Sequence, residues 1–200
     1  MIYGVLRFSL DNFFKLLFRC EVSGTEHLPP VGGMIMAANH QSNWDPPLAA
    51  TFATRPVSYM AKQELFEIPV FGPTIRSLHA FPVKRGAADR NAIKTALQIL
   101  KQGNCLGLFP EGTRSRDGRI HKPEAGIALI AAKANVPVVP TALLGTDQMF
   151  SKSCLFPKLR VIYGEPLFFS GDPKDKEALQ QFSQEIMDRI GEMIKLNGKA

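Results

Sequence analysis

His40 and Asp45 stand five positions apart in "AANHQSNWDPP", residues 37–47, behind an apolar run and ahead of two prolines. On a continuous helix they would point about 140° away from each other, so they converge only through a turn. Ser42 and Asn43 favour one, and a residue before proline is pushed out of the helical region. A converged pair lets the carboxylate hold the proton of one imidazole nitrogen and leaves the other as a base near neutral pH. No Gly-x-Ser-x-Gly elbow and no neighbouring cysteine supplies a protein nucleophile. Such a base would activate a hydroxyl or water belonging to the substrate. The local rules also allow a second reading, in which Asp45 caps the helix opening at Pro46 and His40 is a polar turn residue.

A second stretch, "LGLFPEGTRSRDGR" at 106–119, ends a strand and turns at Gly112 and Thr113. Backbone N–H groups in such a turn can face an anion while Arg114 and Arg116 supply charge. It reads as a phosphate cradle without the Walker pattern, or as a solvated hairpin tip, to which Arg116, Asp117 and Arg119 belong. "HAFPVKRG" adds Lys84 and Arg85 at the end of another strand candidate. "VPVVPTAL" is very apolar and reads as core, with an acyl-channel wall as the alternative.

These residues need a scaffold that gathers strand ends. Strand candidates span 33–39, 56–62, 79–85, 105–111, 136–145 and 159–167, several apolar on both faces as buried parallel strands are. Helix candidates span 46–54, 64–78 with a break near Pro69, 88–102 with Gly103 as its C-terminal cap, and 124–135. A last helix spans 173–196, with Asp172 as N-cap and Pro173 at the first helical position. The alternation predicts an α/β fold, a mostly parallel central sheet flanked by helices. In such sheets functional groups collect past the C-terminal ends of the strands, which singles out 40–45, Lys62, Arg85, 111–116 and 145–148.

The chain has 200 residues, 45% of them hydrophobic, enough for one domain with a real core. Its 24 Lys plus Arg against 18 Asp plus Glu favour acidic partners, phosphates or anionic lipid among them. Nucleic acid is disfavoured, because the basic residues are scattered and no aromatic stacking platform recurs. Cys20, Cys105 and Cys154 are odd in number and widely spaced, which argues against a disulfide framework or zinc site and for a reducing compartment. Residues 1–19 are interrupted by Arg7, Asp11 and Lys15, too charged for a span or a signal peptide. These charges, with Asn12 and Arg19, gather on one helical sector, while Phe8 and Phe18 intrude on it. Ile2, Tyr3, Val5, Leu6, Leu10, Phe13, Phe14 and Leu17 fill the rest. This suits an amphipathic helix in the membrane interface ahead of a domain at 20–200; a helix packed on that domain is the alternative.

Taken together, "NHQSNWD", "FPVKR", "FPEGTRS" and "VPVVP" resemble, in order and separation, the four blocks of the glycerophospholipid acyltransferases, specifically the 1-acylglycerol-3-phosphate acyltransferases. "MAKQELFEIPVFG" between the first two is also similar to a family segment and brings in Lys62. The resemblance covers roughly residues 20–170. It implies that His40 takes the proton of the acceptor's sn-2 hydroxyl and that Asp45 orients and stabilises the imidazolium. The hydroxyl then attacks the thioester of acyl-CoA or acyl-carrier protein without an acyl-enzyme. Arg85, Glu111, Gly112, Thr113 and Arg114 would hold the glycerol phosphate, helped by Lys62. No metal or cofactor is implied, since the thioester is a substrate. Partners would be lysophosphatidate, the acyl thioester, an anionic membrane surface and, as one donor, acyl-carrier protein, with a peripheral or monotopic enzyme on the cytoplasmic face of the cell membrane. Acylation of glycerol 3-phosphate or another lysolipid, thioester or phosphoester hydrolysis by the same pair, and a non-enzymatic lipid-binding module are the rival readings.

Overall fold

The structure, a computed structural model, describes residues 2–83, 90–115, 117–152 and 154–198. Among the described residues seven strands form one sheet: β1 (Glu21–Ser23), β2 (Met34–Ala38), β3 (Val57–Lys62), β4 (Phe81–Val83), β5 (Cys105–Leu108), β6 (Val138–Leu144) and β7 (Arg160–Tyr163). Their spatial order is β1-β7-β6-β2-β5-β3-β4. Every pairing is parallel except β6 with β7, so β1 and β7 run against the rest. β1 lies outside the predicted set, because three half-exposed residues leave too little pattern to read. The predicted 159–167 strand shortens to β7; past its end the Gly164 amide donates to the Pro140 carbonyl and Leu167 bridges Val138.

The helices are α1 (Ile2–Phe18), α2 (Asp45–Phe52), α3 (Phe71–Ser77), α4 (Arg90–Lys101), α5 (Gly126–Ala134) and α6 (Lys176–Asn197). The predicted break near Pro69 separates a 3₁₀ turn at Gln63–Phe66 from α3. Gly103 closes α4 at φ 79°. One prediction moves by a turn. Asp175, not Asp172, caps α6, accepting from the amides of Glu177 and Ala178. Asp172 instead accepts from Lys174 in the turn before. The carboxylate that sits in extended backbone with free amides two and three residues ahead takes the cap.

Successive residues of β2 feed opposite faces of the sheet. Met34, Met36 and Ala38 join a cluster with α1 and α2, including Phe14, Phe18, Leu48 and Phe52. Ile35 and Ala37 join α4, α5 and α6 through Ala96, Leu100, Ile127 and Ile186. Burial on both faces is why the strand is an unbroken apolar run.

Helix α1 is part of this core rather than separate from it. Phe14 and Phe18 are fully buried. Arg7, expected among the outward charges, instead turns inward: its guanidinium donates to the carbonyls of Thr51 and Ala53 at 2.9 and 2.6 Å. The last carbonyls of α2 have no helical partner and a cation suits that end of the helix. Val5, Phe8 and Leu16 remain on the outer side of α1, Phe8 being 72% exposed.

Candidate active site

Two neighbouring parallel strands, β2 and β5, end side by side and place both chemistry-bearing stretches at one edge. The end of β2 is fixed by a residue that pattern reading passed over. Buried Asn39 donates through its carboxamide to the Leu143 carbonyl at 2.9 Å and accepts from the Leu143 amide at 2.8 Å, extending the β2–β6 ladder with a side chain. His40 follows, and the chain turns.

Asp45 is fully buried, and its Oδ2 accepts three hydrogen bonds: from the amides of Gln41 and Ser42, both at 2.7 Å, and from His40 Nδ1 at 2.8 Å. A carboxylate surrounded by donors is an acceptor only, so the imidazole proton is assigned to Nδ1 and Nε2 is left basic. The helix-cap reading of Asp45 is thereby corrected. Asp45 is the first residue of α2, and no side chain caps the helix. Pro46 and Pro47 have no N–H to offer, and the Leu48 amide donates to Trp44. With no free donor downstream, the carboxylate folds back onto the turn, where the donors are.

The His40 ring lies on Phe109, centroids 4.0 Å apart and planes 17° apart, and Phe109 in turn stacks on Tyr59. Gly107 makes room for this column, since a Cβ there would collide with the Tyr59 ring. Among the described residues, no serine, threonine or cysteine side chain is hydrogen-bonded to His40. Burial pushes the Cys105 thiol up to about 12, and desolvation does the same at Cys20, so neither is a thiolate nucleophile near neutral pH.

The 111–121 loop is tied to the His40 turn by a closed ring of hydrogen bonds. Glu111 accepts from the His40 amide through Oε1 at 3.0 Å and from the His121 amide through Oε2 at 3.1 Å. His121 Nε2 reaches Asp117 Oδ1 at 2.9 Å, as does the Ser115 hydroxyl. The Ser115 amide closes the ring on the His40 carbonyl at 2.8 Å. Asp117 is exposed, as its assignment to a solvated tip expects, and it is also the loop's organiser. The Arg119 amide, the Ser115 hydroxyl and His121 hold its carboxyl down at about 2. Beside the ring, Arg114 donates to the Asn43 side chain at 2.8 Å, which seats its guanidinium against the turn between His40 and Asp45.

The anion-cradle reading changes in detail. Gly112 has φ 68°, as its turn requires, but its N–H donates to the Phe109 carbonyl at 3.0 Å and is committed within the loop. Glu111 is buried, with both oxygens on backbone amides, so it shapes the site from beneath. Thr113 and Arg114 are exposed, and Lys62 is exposed at the end of β3 on the same sheet edge. Arg85, Lys84 and Arg116 lie outside the described residues. Sequence reasoning missed Asn39, Phe109 and Ser115. A buried amide after an apolar strand and a serine two residues before an aspartate are weak signals without the partner strand.

A family model described as acyltransferase matches residues 19–144, from the end of α1 through β6. The chain belongs to this acyltransferase family. It is 34% identical over 181 residues to the 1-acyl-sn-glycerol-3-phosphate acyltransferase of Bacillus subtilis (strain 168), covering 86% of this chain and 87% of that one. The enzyme of the same name from Pseudomonas aeruginosa is 37% identical over 132 residues, covering 62% of this chain and 49% of its own. The crystal structure of the 1-acyl-sn-glycerophosphate acyltransferase PlsC from Thermotoga maritima superposes with a TM-score of 0.79 at 31% identity, over 96% of this chain and 79% of that one. The α/β fold with its mostly parallel sheet is thus shared with a solved acyltransferase.

The ring makes a stability prediction. Glu111→Ala leaves the buried His40 amide and the half-buried His121 amide without acceptors; counting the buried bond alone, a hydrogen bond to a charged group contributes about 1.5–3 kcal/mol, so the unfolding temperature should fall by roughly 3–12 °C. Calorimetry checks this. Glu111→Gln keeps one carbonyl acceptor and should lose less; equal losses would show that the carboxylate does not carry the loop.

Proposed function

We propose that this acyltransferase moves an acyl group from acyl-CoA or acyl-carrier protein to the sn-2 hydroxyl of 1-acylglycerol 3-phosphate, giving phosphatidate. The observation that carries the reading is the His40–Asp45 hydrogen bond of 2.8 Å inside a turn clasped by Arg114. The activity named for the relatives supports the same substrate class.

In this mechanism His40 Nε2 accepts the proton of the sn-2 hydroxyl as its oxygen attacks the thioester carbonyl. Asp45 holds the Nδ1 proton and stabilises the imidazolium. The tetrahedral adduct collapses by breaking the C–S bond, and the departing thiolate takes the proton back from Nε2. No acyl-enzyme forms, because the nucleophile arrives with the acceptor. Arg114 binds the acceptor phosphate, with Arg85, Lys62 and Thr113 around it; Glu111 and Gly112 shape the loop that presents it. A phosphorylated alcohol suits this arrangement, since Arg114 is held against the turn that carries His40.

No helix among the described residues is long and apolar enough to cross a membrane. The proposed attachment is peripheral, on the cytoplasmic face of the membrane, with Val5, Phe8 and Leu16 of α1 in the interface of an anionic bilayer.

The test is release of free thiol from an acyl thioester with and without lysophosphatidate, followed by lipid analysis. Transfer gives acceptor-dependent thiol and a diacyl product. Thiol without acceptor would make the protein a hydrolase, and no thiol at all a binding module. Arg114→Ala should raise the acceptor KM by about 10- to 100-fold, the worth of a charge-assisted contact, and leave the thioester KM unchanged. An effect confined to the thioester would overturn the assignment of the cation.

A further inference from the structure

Between β6 and β7 the chain makes a loop whose aromatic rings rest on the core at Phe18 while much of their apolar surface stays exposed. Phe150, Leu155 and Phe156 are 46%, 59% and 44% exposed. Phe150 is held at φ 58°, a left-handed conformation rarely adopted by a residue with a bulky side chain. The loop's own hydrogen bonds impose it. The Phe150 amide donates to Leu155, the Ser151 amide to Gln148, and the Ser151 hydroxyl both donates to the Cys154 carbonyl and accepts from its amide. A structure that closes on itself to hold large apolar side chains in water is built for a surface that will cover them.

This loop adjoins the C-terminal end of α1. Phe18 contacts both Phe150 and Phe156, with centroids 5.4 and 5.6 Å apart, and Arg19 donates to the Phe156 carbonyl. Leu16 and Leu17 of α1 are exposed beside it. Exposed Arg19, Lys152 and Lys158 belong to the same segments, and Lys158 also pairs with Glu21 at 2.6 Å. Apolar anchors with a basic rim suit an anionic bilayer, which takes the rings between its headgroups and the cations at its phosphates. The patch also reaches the site. Phe150 contacts Trp44, the residue before Asp45, at 5.9 Å, and Trp44 stacks on Phe13 of α1.

We infer that the 150–156 loop is a second membrane-docking element, which with α1 seats the His40 turn against an anionic lipid surface. The inference rests on the membrane-surface reading above and adds the loop to it. Seated there, the site would receive an acceptor whose acyl chain stays in the bilayer.

Two measurements on the full chain test it. Leu155→Trp places an indole at the loop tip; with phosphatidylcholine–phosphatidylglycerol vesicles its emission should shift to the blue and be quenched by brominated lipid, beyond the change shown by native Trp44. Leu155→Ser with Phe156→Ser should weaken partition to these vesicles by about tenfold or more, from the apolar area withdrawn. Turnover of a short-chain, monomerically dispersed lysophosphatidate should stay unchanged. Parental vesicle affinity in the double variant, with no indole response, would overturn the inference. So would an equal loss of turnover on the dispersed acceptor, which would make the loop structural. Vesicle binding lost only in Phe8→Ser would leave α1 as the membrane element and remove the loop. Protection of the indole by acyl-carrier protein instead of vesicles would replace the bilayer with a protein partner. A parent that transfers acyl groups but binds no vesicles would end the membrane reading and this inference together, leaving the transfer chemistry standing.

Discussion

His40→Ala should lower kcat by about 10²- to 10⁴-fold, the range supplied by a positioned general base, while the acceptor and thioester KM values change little. The imidazole is a buried ring between Asp45 and Phe109, so its loss removes one hydrogen bond and one stack without cutting a strand. The backbone around it stays tied, because the Glu111 and Ser115 contacts go to the His40 amide and carbonyl, not to its side chain. Thermal unfolding should therefore remain cooperative, and the kinetic loss can be read as chemistry. Acceptor-dependent thiol release is the measurement. Activity near the parent's in a well-folded variant would remove His40 as the base.

Asp45→Asn should cost up to about 10⁴ in kcat, comparable to the loss when the aspartate of a Ser-His-Asp triad becomes an amide. The geometry gives the reason. Oδ2 accepts from two backbone amides and from His40 Nδ1 at once. If the asparagine oxygen takes the place of Oδ2 it still accepts from both amides and from Nδ1, but it no longer carries the charge that stabilises the imidazolium, and the NH₂ group is buried where Oδ1 had no partner. If the NH₂ group takes that place instead, it faces the two donating amides and can only donate to Nδ1, which fixes the opposite tautomer, with the proton on Nε2 where the base should be. Either arrangement also weakens the stabilisation of the imidazolium. The acceptor KM should hold, since Arg114 rests on Asn43 and not on Asp45. A pH–rate profile with the wild-type maximum merely scaled down by a factor of two or so would show that the Asp45 charge does not support the base.

How far the site could be read from the chain differs residue by residue. His40, Asp45 and Arg114 were legible because their chemistry is in their type and their spacing from strand ends. The roles of Glu111 and Gly112 as anion contacts were not, since what a carboxylate or a backbone amide does depends on what lies beside it. Glu111 meets the amide of a residue 71 positions earlier. Asp117 sat in a run of charges that, by sequence, belongs in water; one oxygen collecting three donors made it an organiser. Arg7 shows the same limit. Lys15 of its helical sector stays exposed as read, but Arg7 itself meets the unsatisfied carbonyls of α2 and not solvent.

The sequence by itself determined the α/β class, the apolar strands of a buried parallel sheet, the break at Pro69 and the pair of stretches able to bear a base and a cation. Those properties are local: apolar periodicity, proline geometry and the pKa range of a side chain travel with a few consecutive residues. Only the tertiary structure decided that β5 lies beside β2, which brings the 111–121 loop onto the His40 turn, and that the 150–156 loop completes an exposed aromatic face beside α1. Strand order is a choice among non-local contacts that every apolar strand satisfies about equally well. The direction Asp45 faces was decided likewise, by which donors the folded turn had already spent: two prolines without N–H ahead, two free amides behind.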